Sequence, residues 1–241
     1  IPLTICIGAI CDDGKSIIVA SDKMLTHDIL SVEFQHKTPK MHELSRTCVA
    51  LTAGSALSPI ELFKSVKQSL NNNTNKVYDI VQEVKTQYAK LRLMIAEEQH
   101  LKSRGFKNVE EFYKNIENLP PQLSLPIDDK IKSFNLEVYA LVAGIDDEGG
   151  HIWFIENPGI GSCFDSLGFH ATGSGEPHAI YTFMANDYNT SVPLKEALFV
   201  VYEAKKKAET APGVGDLTDI WIINDKIKSV PKEIIQKLND I

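Results

Sequence analysis

The chain has 241 residues, 43% of them hydrophobic and 24% charged, with a formal net charge of −7 and a pI of about 5.5. That length supports one large domain with its own core. The acidic balance offers no basic face to nucleic acid, and no apolar run approaches the ~20 residues that span a bilayer, so neither nucleic acid nor membrane is expected as a partner.

Residues 3–11 and 16–21 read as strands, joined at the hairpin signal Asp12-Asp13-Gly14-Lys15. The run 16–21 is apolar on both faces yet is followed by a carboxylate, Asp22. Residues 47–53 read as a further strand. Ser58, Pro59 and Glu61 then start a helix, with a cap, a proline at its first position and a capping-box acid. It should run to about residue 70. Val77, Ile80, Val81, Val84, Tyr88, Leu91 and Ile95 recur at helical spacing, which predicts a long helix ending near Arg104-Gly105. Asn108 and Glu111 predict a short helix over 109–116. The Pro-rich stretch 119–126 is expected to exclude regular helix.

Residues 136–145, 151–156 and 163–171 read as three strands, separated by the turn residues Gly149-Gly150 and Asn157-Pro158-Gly159. Helices are expected over 177–185 and 193–209, a last strand over 219–223 and a closing helix over 231–238. Strands grouped in hairpins imply antiparallel sheets, and helices in pairs imply cover for their outer faces. The expected class is α+β, a four-layer αββα sandwich of two antiparallel sheets flanked by helices.

The four cysteines, Cys6, Cys11, Cys48 and Cys163, form no CxxC pair. They read as reduced residues of a cytoplasmic protein. The seven histidines supply no clustered metal ligands, and His42-Glu43 lacks the second His of HExxH. There is no P-loop and no dinucleotide fingerprint. Thr172-Gly173-Ser174-Gly175 lacks the first glycine of a nucleophile elbow.

The remaining residues carry a resemblance through their order. Thr4, the run SIIVASD ending at Asp22, Thr26 four residues on, Lys40-Met41, and Ala53-Gly54 ahead of a helix follow one another as in the N-terminal half of a proteasome β-type subunit. Further on, VYALVAGIDDEGGHIWFIENPGI resembles that family's paired strands with an acidic turn, and FHATGSGEPHA resembles the Gly-Ser-Gly that opens its third helix. The chain resembles a divergent bacterial or archaeal-type member of these N-terminal nucleophile hydrolases over nearly its whole length. Residues 101–131 look like a helical insertion in that single domain.

The resemblance implies a threonine-type peptidase or amidohydrolase that needs no cofactor and no metal. A threonine hydroxyl becomes nucleophilic when a base takes its proton, and the α-amine of an N-terminal threonine serves as that base. By resemblance Thr4 is the nucleophile, Lys40 stabilises the alkoxide and Asp22 holds Lys40. Gly54 offers a backbone N–H to the oxyanion, Ser174 bonds the amine and relays protons, and Thr26 binds substrate backbone. Substrates would be peptides or small amides.

Leu3 stands where the family usually has glycine, and the Leu3–Thr4 bond must be cut before the amine is free. Cys6 is a second candidate nucleophile, requiring the loss of five residues. Where the family places an acid and a serine, this chain has Glu209-Thr210-Ala211-Pro212-Gly213-Val214-Gly215-Asp216, so Glu209 or Asp216 would substitute for the acid. A homo-oligomer is expected, with the insertion giving it a geometry unlike the four-ring barrel; an ATPase partner is not legible. The alternative is a non-catalytic scaffold or assembly subunit of the same fold.

Overall fold

A computed structural model describes residues 3–27, 32–35, 40–55, 58–71 and 74–239. Strands β1 (Cys6–Cys11) and β2 (Ser16–Asp22) are buried along their whole length. Both faces of an antiparallel pair are apolar only when both are covered. Ile7, Ala9 and Cys11 of β1 face one core, while Cys6 and Ile10 face another.

The remaining elements explain that double burial. After β3 (Met24–His27) and β4 (Val32–Gln35), which form a two-stranded ribbon, come β5 (Met41–Ser45) and β6 (Cys48–Gly54). Helices α1 (Ser58–Ser69), α2 (Val77–His100), α3 (Val109–Asn115) and α4 (Pro121–Ser133) follow. Then come β7 (Val138–Asp146), β8 (Gly149–Glu156), β9 (Ile160–Cys163) and β10 (Phe169–Thr172). The chain closes with α5 (Glu176–Ala185), α6 (Leu194–Ala208), β11 (Thr218–Ile223), β12 (Ile227–Ser229) and α7 (Lys232–Asn239).

Two five-stranded antiparallel sheets result, ordered β10-β1-β2-β11-β12 and β5-β6-β7-β8-β9. Cys6, Ile10, Ile17 and Val19 of the first sheet pack against Val49, Leu51, Leu141 and Ile152 of the second. Phe183 of α5 and Val201 of α6 cover the outer face of the first sheet. Phe63 of α1 with Val81 and Tyr88 of α2 cover that of the second. The layers are therefore helix, sheet, sheet, helix, an α+β sandwich of the expected kind.

The differences from the sequence reading have local causes. Residues 163–171 are not one strand: β9 and β10 belong to different sheets, and the chain crosses between them at 164–168, where Gly168 has φ +77°. The Pro-rich stretch holds the helix α4. Pro120 and Pro121 precede or open it, where no N–H is needed, and only Pro126 removes an internal bond. Burial of Ile127 and Ile131 against Leu101 and Phe112 offsets that loss, at about 1.5–3 kcal/mol per large apolar side chain. This small core belongs to the 101–131 segment. Asn108 caps α3 as expected, accepting the Glu111 N–H at 2.9 Å.

Three acid–base side chains tie the crossover to both neighbouring strands. His151 of β8 bonds Asp165 at 2.7 Å through Nδ1 and Asp146 of β7 at 3.1 Å through Nε2. Asp146 also accepts the N–H of Val77 at the start of α2, and Asp165 accepts that of Ile152. No helix among the described residues is long and apolar enough to cross a membrane.

Candidate active site

The β1–β2 register pairs Cys6 with Ser21. One step outward, the Asp22 N–H donates to the Ile5 carbonyl at 3.4 Å, while the Ile5 N–H donates to Asp22 Oδ1 at 3.1 Å. Thr4 therefore comes to lie beside the carboxylate that ends β2. Its hydroxyl donates to Asp22 Oδ1 at 2.5 Å.

Lys40 approaches from the other sheet. Its carbonyl accepts the Thr52 N–H of β6 at 3.0 Å, which fixes the entry to β5. Its Nζ donates to Thr4 Oγ1 at 2.5 Å and to Asp22 Oδ1 at 2.7 Å. The side chains are nearly withdrawn from water: Lys40 is 8% exposed and Asp22 0%, and Thr4 as a residue is 3% exposed. The two form a buried ion pair. Between them sits a hydroxyl that donates to the carboxylate and accepts from the ammonium; of the two, the ammonium is the group that can stabilise negative charge on Oγ1.

Ser174 lies between β10 and α5. Its hydroxyl donates to the Pro212 carbonyl at 2.8 Å and stands 3.4 Å from the Thr4 carbonyl. Gly173 brings it there: φ is +117°, and a Cβ would lie 2.2 Å from the Thr4 oxygen. Only glycine permits that approach. Ser174 is thus at Thr4, on its carbonyl side.

Gly54 ends β6 with φ +101°, and a Cβ there would meet the Glu137 carbonyl at 2.0 Å. Its backbone conformation is set by the neighbouring strand, and no hydrogen bond joins it to Thr4 among the described residues. Thr26 lies on β3, and its side chain is outside the described part of the structure.

Cys6 is a different matter. Its thiol is fully buried and donates to the Thr52 carbonyl at 3.3 Å. Burial, only partly opposed by Lys40, pushes the thiol up to about 12. A thiol held neutral in the core is a poor nucleophile. Two histidines flank Ser174 in the sequence, His170 and His178. His170 is buried in β10, stacked on Phe164 at 3.8 Å, and burial lowers it to about 4; His178 lies in α5.

The segment between α6 and β11 contributes what the sequence reading missed. The Gly215 N–H donates to Asp22 Oδ2 at 3.1 Å. Glu209 is engaged elsewhere, by Lys205 and Lys206. Lys205 is 0% exposed. It stands in the run Lys205-Lys206-Lys207, which reads as the solvated last turn of a helix. The available signal was its position on the stripe Ala197, Val201, Ala204, Ala208, all of them buried.

A cleft of about 370 Å³ opens between α1 and β5. His42, two residues past Lys40, stacks on Phe63 at 4.8 Å. Burial first, and the Lys67 charge second, lower its imidazole to about 4. Lys64, Lys67 and Gln68 are its other polar lining groups.

Among the described residues no group of His, Cys, Asp and Glu is arranged to hold a metal ion. Compared with known proteins, the chain matches no family model and no curated protein.

Proposed function

We propose that this chain is a threonine-type hydrolase with the proteasome β-subunit-like N-terminal nucleophile fold. It would cleave peptide or small-amide bonds once the Leu3–Thr4 bond has been broken. The observation that carries this reading is the Thr4 hydroxyl held between Asp22 Oδ1 and Lys40 Nζ, at 2.5 Å from each.

The freed amine of Thr4, with an ordinary pKa near ~8, accepts the hydroxyl proton as Oγ1 bonds to the substrate carbonyl carbon. Lys40 stabilises the developing charge on Oγ1, and Asp22 keeps Lys40 in place. The carbonyl oxygen becomes an oxyanion, for which the Gly54 N–H is the proposed donor. Collapse breaks the C–N bond, and the amine's proton goes to the leaving nitrogen. Water then attacks the ester carbon while the amine takes a proton from it, the C–Oγ1 bond breaks, the amine returns that proton to Oγ1, and the carboxylic acid is released. By the same resemblance Ser174 is assigned to relaying these protons and Thr26 to substrate backbone.

The rival reading is a non-catalytic scaffold of the same fold. It is favoured by the peptide-bonded nitrogen of Thr4 and by Leu3, which lies against Gly213. Intact-mass measurement and peptide-amide assays separate the two. We expect hydrolysis to appear only in preparations whose chain starts at Thr4 and to vanish in Thr4→Ala. Hydrolysis that survives Thr4→Ala, or proceeds with Leu3 still attached, would sink the proposal.

A further inference from the structure

The proposed reaction makes no use of Lys205, yet no charged side chain is more completely enclosed among the described residues. Its ammonium has three protons and three acceptors: Glu209 Oε1 at 2.5 Å, the Gly215 carbonyl at 2.8 Å and the Asp216 carbonyl at 3.0 Å. Burial pushes this ammonium down from its ordinary value, while Glu209 and the nearby Asp22 carboxylate act to keep it charged. A buried lysine is costly unless each donor is satisfied. Here two of the three acceptors are backbone carbonyls of one short segment.

That segment runs over the candidate site. It leaves α6 at Glu209 and enters β11 at Thr218. Along the way the Pro212 carbonyl accepts from Ser174, Gly213 meets Leu3, and the Gly215 N–H reaches Asp22 Oδ2. Gly215 therefore has its carbonyl on Lys205 and its N–H on Asp22. With Oδ2 occupied by that N–H, the carboxylate presents Oδ1 to both Thr4 and Lys40.

We propose that Lys205 is a positioning residue of the Thr4 site, holding the Gly215 peptide on Asp22 from inside the core and thereby fixing the carboxylate that Thr4 and Lys40 share. Its consequence for catalysis rests on the proposed function; its hold on Gly215 does not. A small displacement of a catalytic group costs about 10²-fold in rate.

The test replaces Lys205 with methionine, an unbranched side chain without donors. Two quantities are followed: hydrogen exchange at the Gly215 amide, and kcat and KM for a peptide amide on chains that start at Thr4. We expect exchange at Gly215 to rise at least ~10²-fold while Ile220 in β11 is unchanged, as local opening predicts. We expect kcat to fall about 10²-fold with KM within ~2-fold, as for a group acting in the transition state. If Lys205→Met does not fold, Lys205→Gln, which keeps a neutral donor, is expected to move both readouts in the same direction by less. Unchanged exchange at Gly215 overturns the proposal, as does a loss of protection spread equally over β11. If the parent hydrolyses no amide but Gly215 is released in the variant, the reading of Thr4 fails and the positioning role stands. If the parent is active and neither readout moves, the reverse holds.

Discussion

Asp22→Ala lowers the stability of this chain by about 3–5 kcal/mol, the usual effect of removing one partner of a buried ion pair. At 2–4 °C per kcal/mol for a domain of this size, Tm falls by roughly 6–20 °C. The size of the effect follows from what the carboxylate holds. One oxygen takes the Thr4 hydroxyl, the Ile5 N–H and the Lys40 ammonium, and the other takes the Gly215 N–H. Its loss strands a lysine whose side chain is only 8% exposed. Asp219, paired with Lys23 at the surface, is the internal control. Asp219→Ala changes stability by under ~1 kcal/mol, because exposed pairs contribute little. Thermal scans of both variants check this; an Asp22→Ala protein that melts within about 2 °C of its parent would refute the central role given to this carboxylate.

Raising the pH from about 6 to 10 removes roughly 3 kcal/mol contributed by His151, since each tenfold gain in proton affinity on folding is worth about 1.4 kcal/mol. The hydrogen bond to Asp165 first, and then the charges of Asp165 and Asp146, raise this imidazole from 6.5 to about 9 against the opposing effect of burial. A group more basic in the folded than in the unfolded chain stabilises fully below its unfolded value, here near 6.5. Its contribution shrinks as the pH climbs and is gone once the pH has passed about 9. The two aspartates act at the other end of the scale. Burial alone would raise them, but the N–H and imidazole donors outweigh it and hold both below their ordinary value. Their contribution is present above the unfolded carboxylate value and lost as the pH falls through the folded one. Urea midpoints between about pH 6 and 9 should show this decline in the parent and not in His151→Phe, while above about 9 the buried thiols of Cys6, Cys11 and Cys48, pushed up to about 12, add a decline common to both. An identical decline in both over the lower range would place its source elsewhere.

Thr4, Asp22 and Lys40 were singled out only through the order they share with a proteasome β-type subunit; taken one at a time they read as a strand residue, a turn acid and a loop lysine. The layers were legible from the strands themselves: runs such as 16–21 carry no polar face, and only a sheet covered on both sides has a place for them. Gly215 was not legible, since its contribution is a backbone N–H and any residue has one. Lys205 was hidden by its neighbours Lys206 and Lys207, which lie at the surface end of the same turn. The strand β5 has the composition Met-His-Glu-Leu-Ser, with no β-branched residue to mark it. Helix α4 was masked by three prolines whose local preference is outweighed by a contact made from α3 and the end of α2. In each case the deciding interaction lies far along the chain or on the main chain, where residue type is silent.

Thr4 and Asp22 hang from one sheet and Lys40 from the other, and only the closing of the sandwich brings the ammonium to the hydroxyl. A half-folded chain has an ordinary threonine, with the ordinary inertness of an alcohol in water. Whatever reactivity this residue has therefore depends on both sheets being in place at once.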